Sequence, residues 1–413
     1  MTKLTERERT SILKSLAMGG VPLIGLQHLA VAREAETKVL CHDIDSVVEG
    51  ASAFRIVQGN VGAGKTFVLH LARVEALRRN LVVAHTEFGT NHRLYGRDGS
   101  SLAFLAALMS NLFTRTSSEP GALRRVIEIW INEVAEAVRK QGGGDDEIKA
   151  EIVQKLRVLK DYENGQAFAH VLAKYYEGFA DSKPILQDAA VRWLRGEFST
   201  KTEARELLGV RTIIQDENVY PALKVFALFC RIAGFGGLFV IVDELSALTD
   251  RLGNIKARHG NFGALLKLIN ESIQGGAPGF GFLFSGTDSA VEDEDKGLFS
   301  YAPLRSRLKP SAANEEITRF TPIIPLKPLG YEHLYELLRR VTLVHAGGEP
   351  ERQVLPDNGI QFFVEQHIGS SASTKVANPR DILRPFVELL VKIEENPTKP
   401  WQSYFAKAAP VAK

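Results

Sequence analysis

The ten residues QGNVGAGKTF, 58 to 67, crowd three glycines and an alanine just ahead of Lys65 and Thr66. Gly59, four residues, then Gly64, Lys65 and Thr66 is the spacing of a phosphate-binding loop, and each residue type has a physical reason to be there. Without a Cβ, glycine lets backbone N–H groups turn inward and approach phosphate oxygens closely. A helix opening at the end of the loop adds the positive end of its dipole. Lys65 then reaches the β and γ phosphates, and the Thr66 hydroxyl ligates Mg²⁺. Gly59, Asn60, Val61, Gly62, Ala63, Gly64, Lys65, Thr66 and Phe67 are therefore the predicted cradle of a nucleoside triphosphate.

Hydrolysis needs a second strand that ends in acid, to hold the metal and activate water. In GLFVIVDELSAL, five apolar residues precede Asp243 and Glu244. Asp243 is predicted to hold Mg²⁺ through its water, and Glu244 to act as general base on the attacking water. The competing role is a plain strand end, or a helix start where carboxylates are favoured. A glutamate directly after the aspartate points to ATP hydrolysis and away from a passive GTP switch. The run FLFSGTDS offers Ser285, and after it Thr287, as sensors of the γ-phosphate or the attacking water; capping a turn is the alternative. Glu87 and Asn91 are candidates to contact the glutamate, or are loop decoration.

Arg305 and Arg307 follow in FSYAPLRSRLKP. Either suits an arginine given to a neighbouring subunit's γ-phosphate, a contribution on the order of 10³-fold in rate, and either equally suits a basic helix face. Arg380, in NPRDIL, is predicted to fold onto the nucleotide from a C-terminal helical segment, or simply to start a helix. In GGVPLIGLQHLAVAREAE, Val21, Pro22 and Leu26 are predicted adenine contacts, with a packing arm as the other reading.

Positioning these groups requires strands that end together. Apolar runs at 53–59, 81–88, 237–243, 279–286 and 321–326 suit strands covered on both faces, so the expected fold is α/β with a five-stranded parallel sheet. The fourth run is expected between the first and third. KTFVLHLARVEALRR after the first run has helical spacing and completes a βαβ unit. Residues 90–232 read as a large helical insertion, with QGGGDD as a joint between two of its helices. The expected organisation is an N-terminal arm over 1–50, a nucleotide-binding domain over 51–327 and an all-helical lid over 328–413.

The 413 residues, 45% hydrophobic, suffice for more than one packed unit. A net charge of +2 leaves any affinity for nucleic acid to a local patch. Cys41 and Cys230 lack metal-ligand spacing and suit a reducing compartment. The N-terminus has no signal-peptide core and no run approaches bilayer length, so a soluble cytoplasmic protein without membrane contact is expected.

Taken in order, these motifs resemble an AAA+ ATPase of the P-loop (ASCE) class, on the origin-recognition and STAND-like side of that superfamily. GLQHLAVAREAE, FRIVQGNVGAGKT, VRWLRGEF, ARELLGVR, GFGGLFVIVDELSAL, FLFSGTDS, SYAPLRSRL and NPRDILRPFVELL together resemble the BrxD-type ATP-binding proteins of bacterial BREX and related phage-defence systems, over most of residues 15–395. The loop departs from the expected pattern at its second position, Asn60, which is harmless to phosphate binding. The resemblance implies an ATP-dependent component of a multi-protein defence system that acts with DNA-modifying partners. ATP and Mg²⁺ are the expected cofactors, a homo-oligomer is expected if Arg305 or Arg307 acts in trans, and non-specific contact with double-stranded DNA is left open. Two alternatives stand beside it. One is a DNA-binding regulator similar to transposition ATPases, for which RVEALRR and RSRLK supply short basic stretches; the other is an assembly scaffold that scarcely hydrolyses ATP.

Overall fold

A computed structural model describes residues 3–117, 119–309, 317–368 and 378–405. Residues 369–377 and 406–413 of the expected lid, and Pro310 of the arginine segment, lie outside the described residues. The strands are β1 (Ser52–Gln58), β2 (Val82–Glu87), β3 (Leu112–Phe113), β4 (Leu238–Asp243), β5 (Phe280–Gly286) and β6 (Ile323–Pro325). They form one sheet in the order β3-β2-β4-β5-β1-β6. Pairings β2–β4, β4–β5 and β5–β1 are parallel. The fourth expected strand, now β5, does lie between β4 and β1.

The expected count of five strands is corrected to six. β3 pairs antiparallel with β2, through Val83–Phe113 and Ala84–Leu112. Two residues between helices carry no alternation that a sequence pattern can register. The central strands are apolar because helices cover both faces: every residue of β5 is buried, as are the first five of β4. With a side-chain period of two, Phe280, Phe282 and Phe284 share one face, where Phe284 meets Phe54 at 5.4 Å and Phe88 at 5.9 Å between ring centroids.

Parallel pairing brings the C-terminal ends to one edge of the sheet. In register, Glu87 stands opposite Asp243, and Gln58 opposite Gly286. Open α/β sheets present their ligand sites along that edge.

The chain divides into two compact units. The sheet unit comprises 39–58 and 72–324, and the helical unit comprises 1–38, 59–71 and 325–413. Within the sheet unit, the elements described between Ser100 and Ile232 are helices, β3 apart. Helix Leu123–Lys140 buries Leu123, Val126, Ile127, Trp130, Ile131 and Val134 at helical spacing, and Trp130 packs edge-on against Phe229 at 5.4 Å. The QGGGDD joint ends that helix with Gly142 at φ 82° and starts the next, where Asp145, Asp146 and Glu147 occupy the first turn.

The helical unit packs Glu6–Ala17 with Tyr331–His345, Asp357–Ile368 and Pro379–Glu395. Its core contains Ile12, Leu16, Leu338, Val341, Phe363, Phe386 and Leu390, with Phe67 against it. Phe67 therefore anchors the residues just after the glycine loop to this core. Among the described residues, no helix is long and apolar enough to cross a membrane.

Candidate nucleotide site

The glycine loop leaves β1 at Gln58, and helix Lys65–Arg78 opens at Lys65, as the spacing required. Gly62 and Gly64 have φ 83° and 95°, the left-handed region that favours glycine. The loop is also crowded from outside. A Cβ at Gly62 would fall 2.2 Å from Asn378 Cγ and Oδ1, and one at Gly59 would fall 3.2 Å from Leu326 Cβ. Lys65 Nζ donates to the carbonyls of Gly59, at 2.8 Å, and Asn60, at 3.1 Å. A cation curled over a loop at a helix N-terminus is an arrangement that fits a phosphate chain. Thr66 sits in the first turn beside it.

Further residues of the helical unit meet this loop. Asn378 caps helix Pro379–Glu395, its Oδ1 accepting from Arg380 N at 2.9 Å. Arg380 is exposed, and its aliphatic stem lies along Gly19. Pro22 and Leu26 are buried and Val21 is half-buried, while Leu23 and Ile24 are the exposed apolar residues of that stretch. Arg33, in the same N-terminal stretch and with no sequence pattern to single it out, donates to the Ala63 carbonyl.

In the sheet unit, Asp243 and Ser285 come together. Asp243 Oδ1 accepts from Glu244 N at 2.9 Å and, in a short contact, from Ser285 Oγ. Ser285 is fully buried, and its carbonyl accepts from Leu245 N at 2.9 Å, so the ends of β4 and β5 are tied twice. Glu244 adopts φ 65°. A non-glycine residue there carries strain of about 1–2 kcal/mol, and such outliers cluster at functional sites. Its Oε2 accepts from Ser246 Oγ at 2.8 Å and pairs with Arg251 at 3.4 Å. Both partners escaped the sequence reading, although they follow the acidic pair within eight residues. Glu87 and Asn91 are exposed, and neither is among these partners of Glu244.

Burial pushes the imidazole of His85 down to about 4, the charge of Arg73 adding to the effect and Asp243 opposing it. Near Asp243, then, stands a histidine that is neutral at ordinary pH. Among the described residues, no three His, Cys, Asp or Glu side chains gather as a metal cage.

Thr287 caps helix Asp288–Glu292, accepting from Ala290 N at 3.1 Å. Arg305 pairs with Glu294, whereas Arg307 is exposed and, among the described residues, makes no ion pair. In RVEALRR, Arg73 is buried with its guanidinium 4.7 Å above the Phe113 ring, and Arg79 is engaged by Asp45 and Glu75. Arg78 of the same stretch is exposed, 3.5 Å from Glu75.

A family model described as BREX system ATP-binding protein BrxC/D matches residues 4–409, nearly the whole chain. No curated protein matches the sequence.

Proposed function

Because the chain belongs to the BREX system ATP-binding protein BrxC/D family, we propose that it hydrolyses ATP, with the Gly59–Phe67 loop holding the phosphates and the Asp243–Glu244 pair acting on the same nucleotide. The observation that carries this is the loop itself: left-handed Gly62 and Gly64 leading into a helix at Lys65, with the lysine amine folded over the turn. The motif pattern supports a shared nucleotide: a glycine loop follows one apolar strand, and an acidic pair ends another.

Lys65 neutralises charge on the β and γ phosphates, and Thr66 and Asp243 are the residues that would hold a magnesium ion. Magnesium, when bound, draws charge from the phosphate oxygens. Glu244 takes the proton from the water whose oxygen bonds to the γ-phosphorus as the bond to the β-phosphate oxygen breaks, giving ADP and phosphate. Ser285 fixes the rotamer of Asp243 by giving it a hydrogen bond, a role the contact supports over direct γ-phosphate sensing.

The proposal extends to a homo-oligomer in which an arginine of helix Ala302–Leu308 reaches a neighbour's nucleotide, and in which the C-terminal helices, with Arg380, serve as a lid. Its partners are other proteins of the defence system. A DNA-binding regulator is less favoured because the basic stretches RVEALRR and RSRLK are short and Arg73 and Arg79 are engaged within the chain, leaving Arg78, Arg307 and Lys309 as their exposed cations.

The test is phosphate release by wild-type protein and Glu244→Gln, with and without duplex DNA, alongside mass by light scattering. The expected result is turnover in the wild type, lost in Glu244→Gln, that grows with assembly. Equal turnover in both proteins would refute Glu244 as the base.

A further inference from the structure

Arg33 lies in VAREAE and is 6% exposed, deep burial for a guanidinium. Its Nη2 donates to the Ala63 carbonyl at 2.9 Å and the Lys327 carbonyl at 3.0 Å, while Nη1 donates to Glu36 Oε1 at 3.1 Å. The Glu36 side chain is itself 9% exposed. All four residues belong to the helical unit. One side chain thus ties together the start of helix Glu34–Val48, the glycine loop and the segment leaving β6.

The Ala63 carbonyl and the Gly64 N–H share one planar trans peptide, so they point in opposite directions. A donor that takes the carbonyl therefore aims the Gly64 N–H away from Arg33. Glycine at 64, φ 95°, has no side chain to resist rotation of that peptide, so the orientation must come from a partner. Charge balance alone does not explain the contacts, because Glu36 already neutralises the guanidinium and the two carbonyl bonds are additional. The planar fork reaches three acceptors at once, which a lysine ammonium on a single flexible stem does not reproduce.

We propose that Arg33 is a positioning residue for the phosphate loop: it sets the Ala63–Gly64 peptide so that the Gly64 N–H is presented to phosphate oxygen, and it keeps the loop in register with the Lys327 segment. The proposal rests on the reading of residues 59–67 as the ATP loop.

Calorimetric titration of Mg-ATP into the full chain tests it, using Arg33→Lys, Arg33→Met and the double variant Arg33→Met/Glu36→Gln, each also followed by thermal melting. Arg33→Met alone strands a buried carboxylate and is expected to melt early, whereas the double variant removes both charges together. The expected result is a double variant that melts close to wild type yet binds Mg-ATP about tenfold or more weakly, with Arg33→Lys in between. A double variant that binds as wild type overturns the proposal, and so does affinity that falls only in step with melting temperature, which would make Arg33 structural. A wild-type protein that binds no Mg-ATP would instead overturn the ATP loop itself, and this role with it.

Discussion

Ser285→Ala isolates the junction between β4 and β5. The side chain is fully buried and its Oγ donates to Asp243 Oδ1, which also receives the Glu244 N–H at 2.9 Å. Alanine removes one oxygen atom and leaves packing nearly unchanged, while Asp243, half-exposed at the strand end, keeps its backbone donor. A hydrogen bond to a charged acceptor is worth about 1.5–3 kcal/mol. Were Asp243 to act on the reacting phosphate through magnesium, that loss would lower kcat/KM roughly 10- to 150-fold. The assay is phosphate release across a magnesium titration, paired with nucleotide affinity in EDTA. Affinity without metal should be unchanged, since residues 59–67 are untouched. Turnover equal to wild type at every magnesium concentration would refute the reasoning, as would an equal loss of metal-free affinity.

Gly62→Ala should weaken Mg-ATP binding about tenfold or more, because alanine at φ 83° is strained by about 1–2 kcal/mol and its Cβ would meet Asn378; calorimetry showing wild-type affinity would contradict this. For His85, the folded value of about 4 lies below the ordinary 6.5, so the unfolded chain binds the extra proton. Stability from the neutral ring is complete above about pH 6.5 and falls as pH drops toward 4. Denaturant melts should show that slope in wild type and a shallower one in His85→Gln; identical slopes would sink the assignment. Arg307→Ala should cut turnover on the order of 10³-fold where subunits associate and leave the dilute basal rate alone. A loss independent of protein concentration would exclude a role in trans.

The main strands were legible because burial on both faces leaves an unbroken apolar run: LFVIV of β4 and FGFLF of β5 have almost no other use. The glycine loop was legible because its torsions demand glycine at 62 and 64. β3 was not, since two residues have no period. Arg33, Ser246, Arg251 and Asn378 were hidden for a different reason. Their partners lie in distant segments or across a turn, and a pattern read along the chain does not report which carbonyl a guanidinium will find. The grouping of 1–38 and 59–71 with 325–413 has the same origin, in Ile12, Leu16 and Phe67 packing with Leu338 and Phe386. Thr287 shows the local case: capping was one of its two open roles, and it accepts from Ala290 N.

Everything proposed for this chain requires Mg-ATP against the loop at Lys65. Titration of Mg-ATP into wild-type protein and Lys65→Ala by calorimetry measures that directly. The account predicts saturable binding to the wild type with one nucleotide per chain, and its loss in Lys65→Ala at unchanged melting temperature. No heat of binding in the wild type, or equal affinity in the variant, would contradict it.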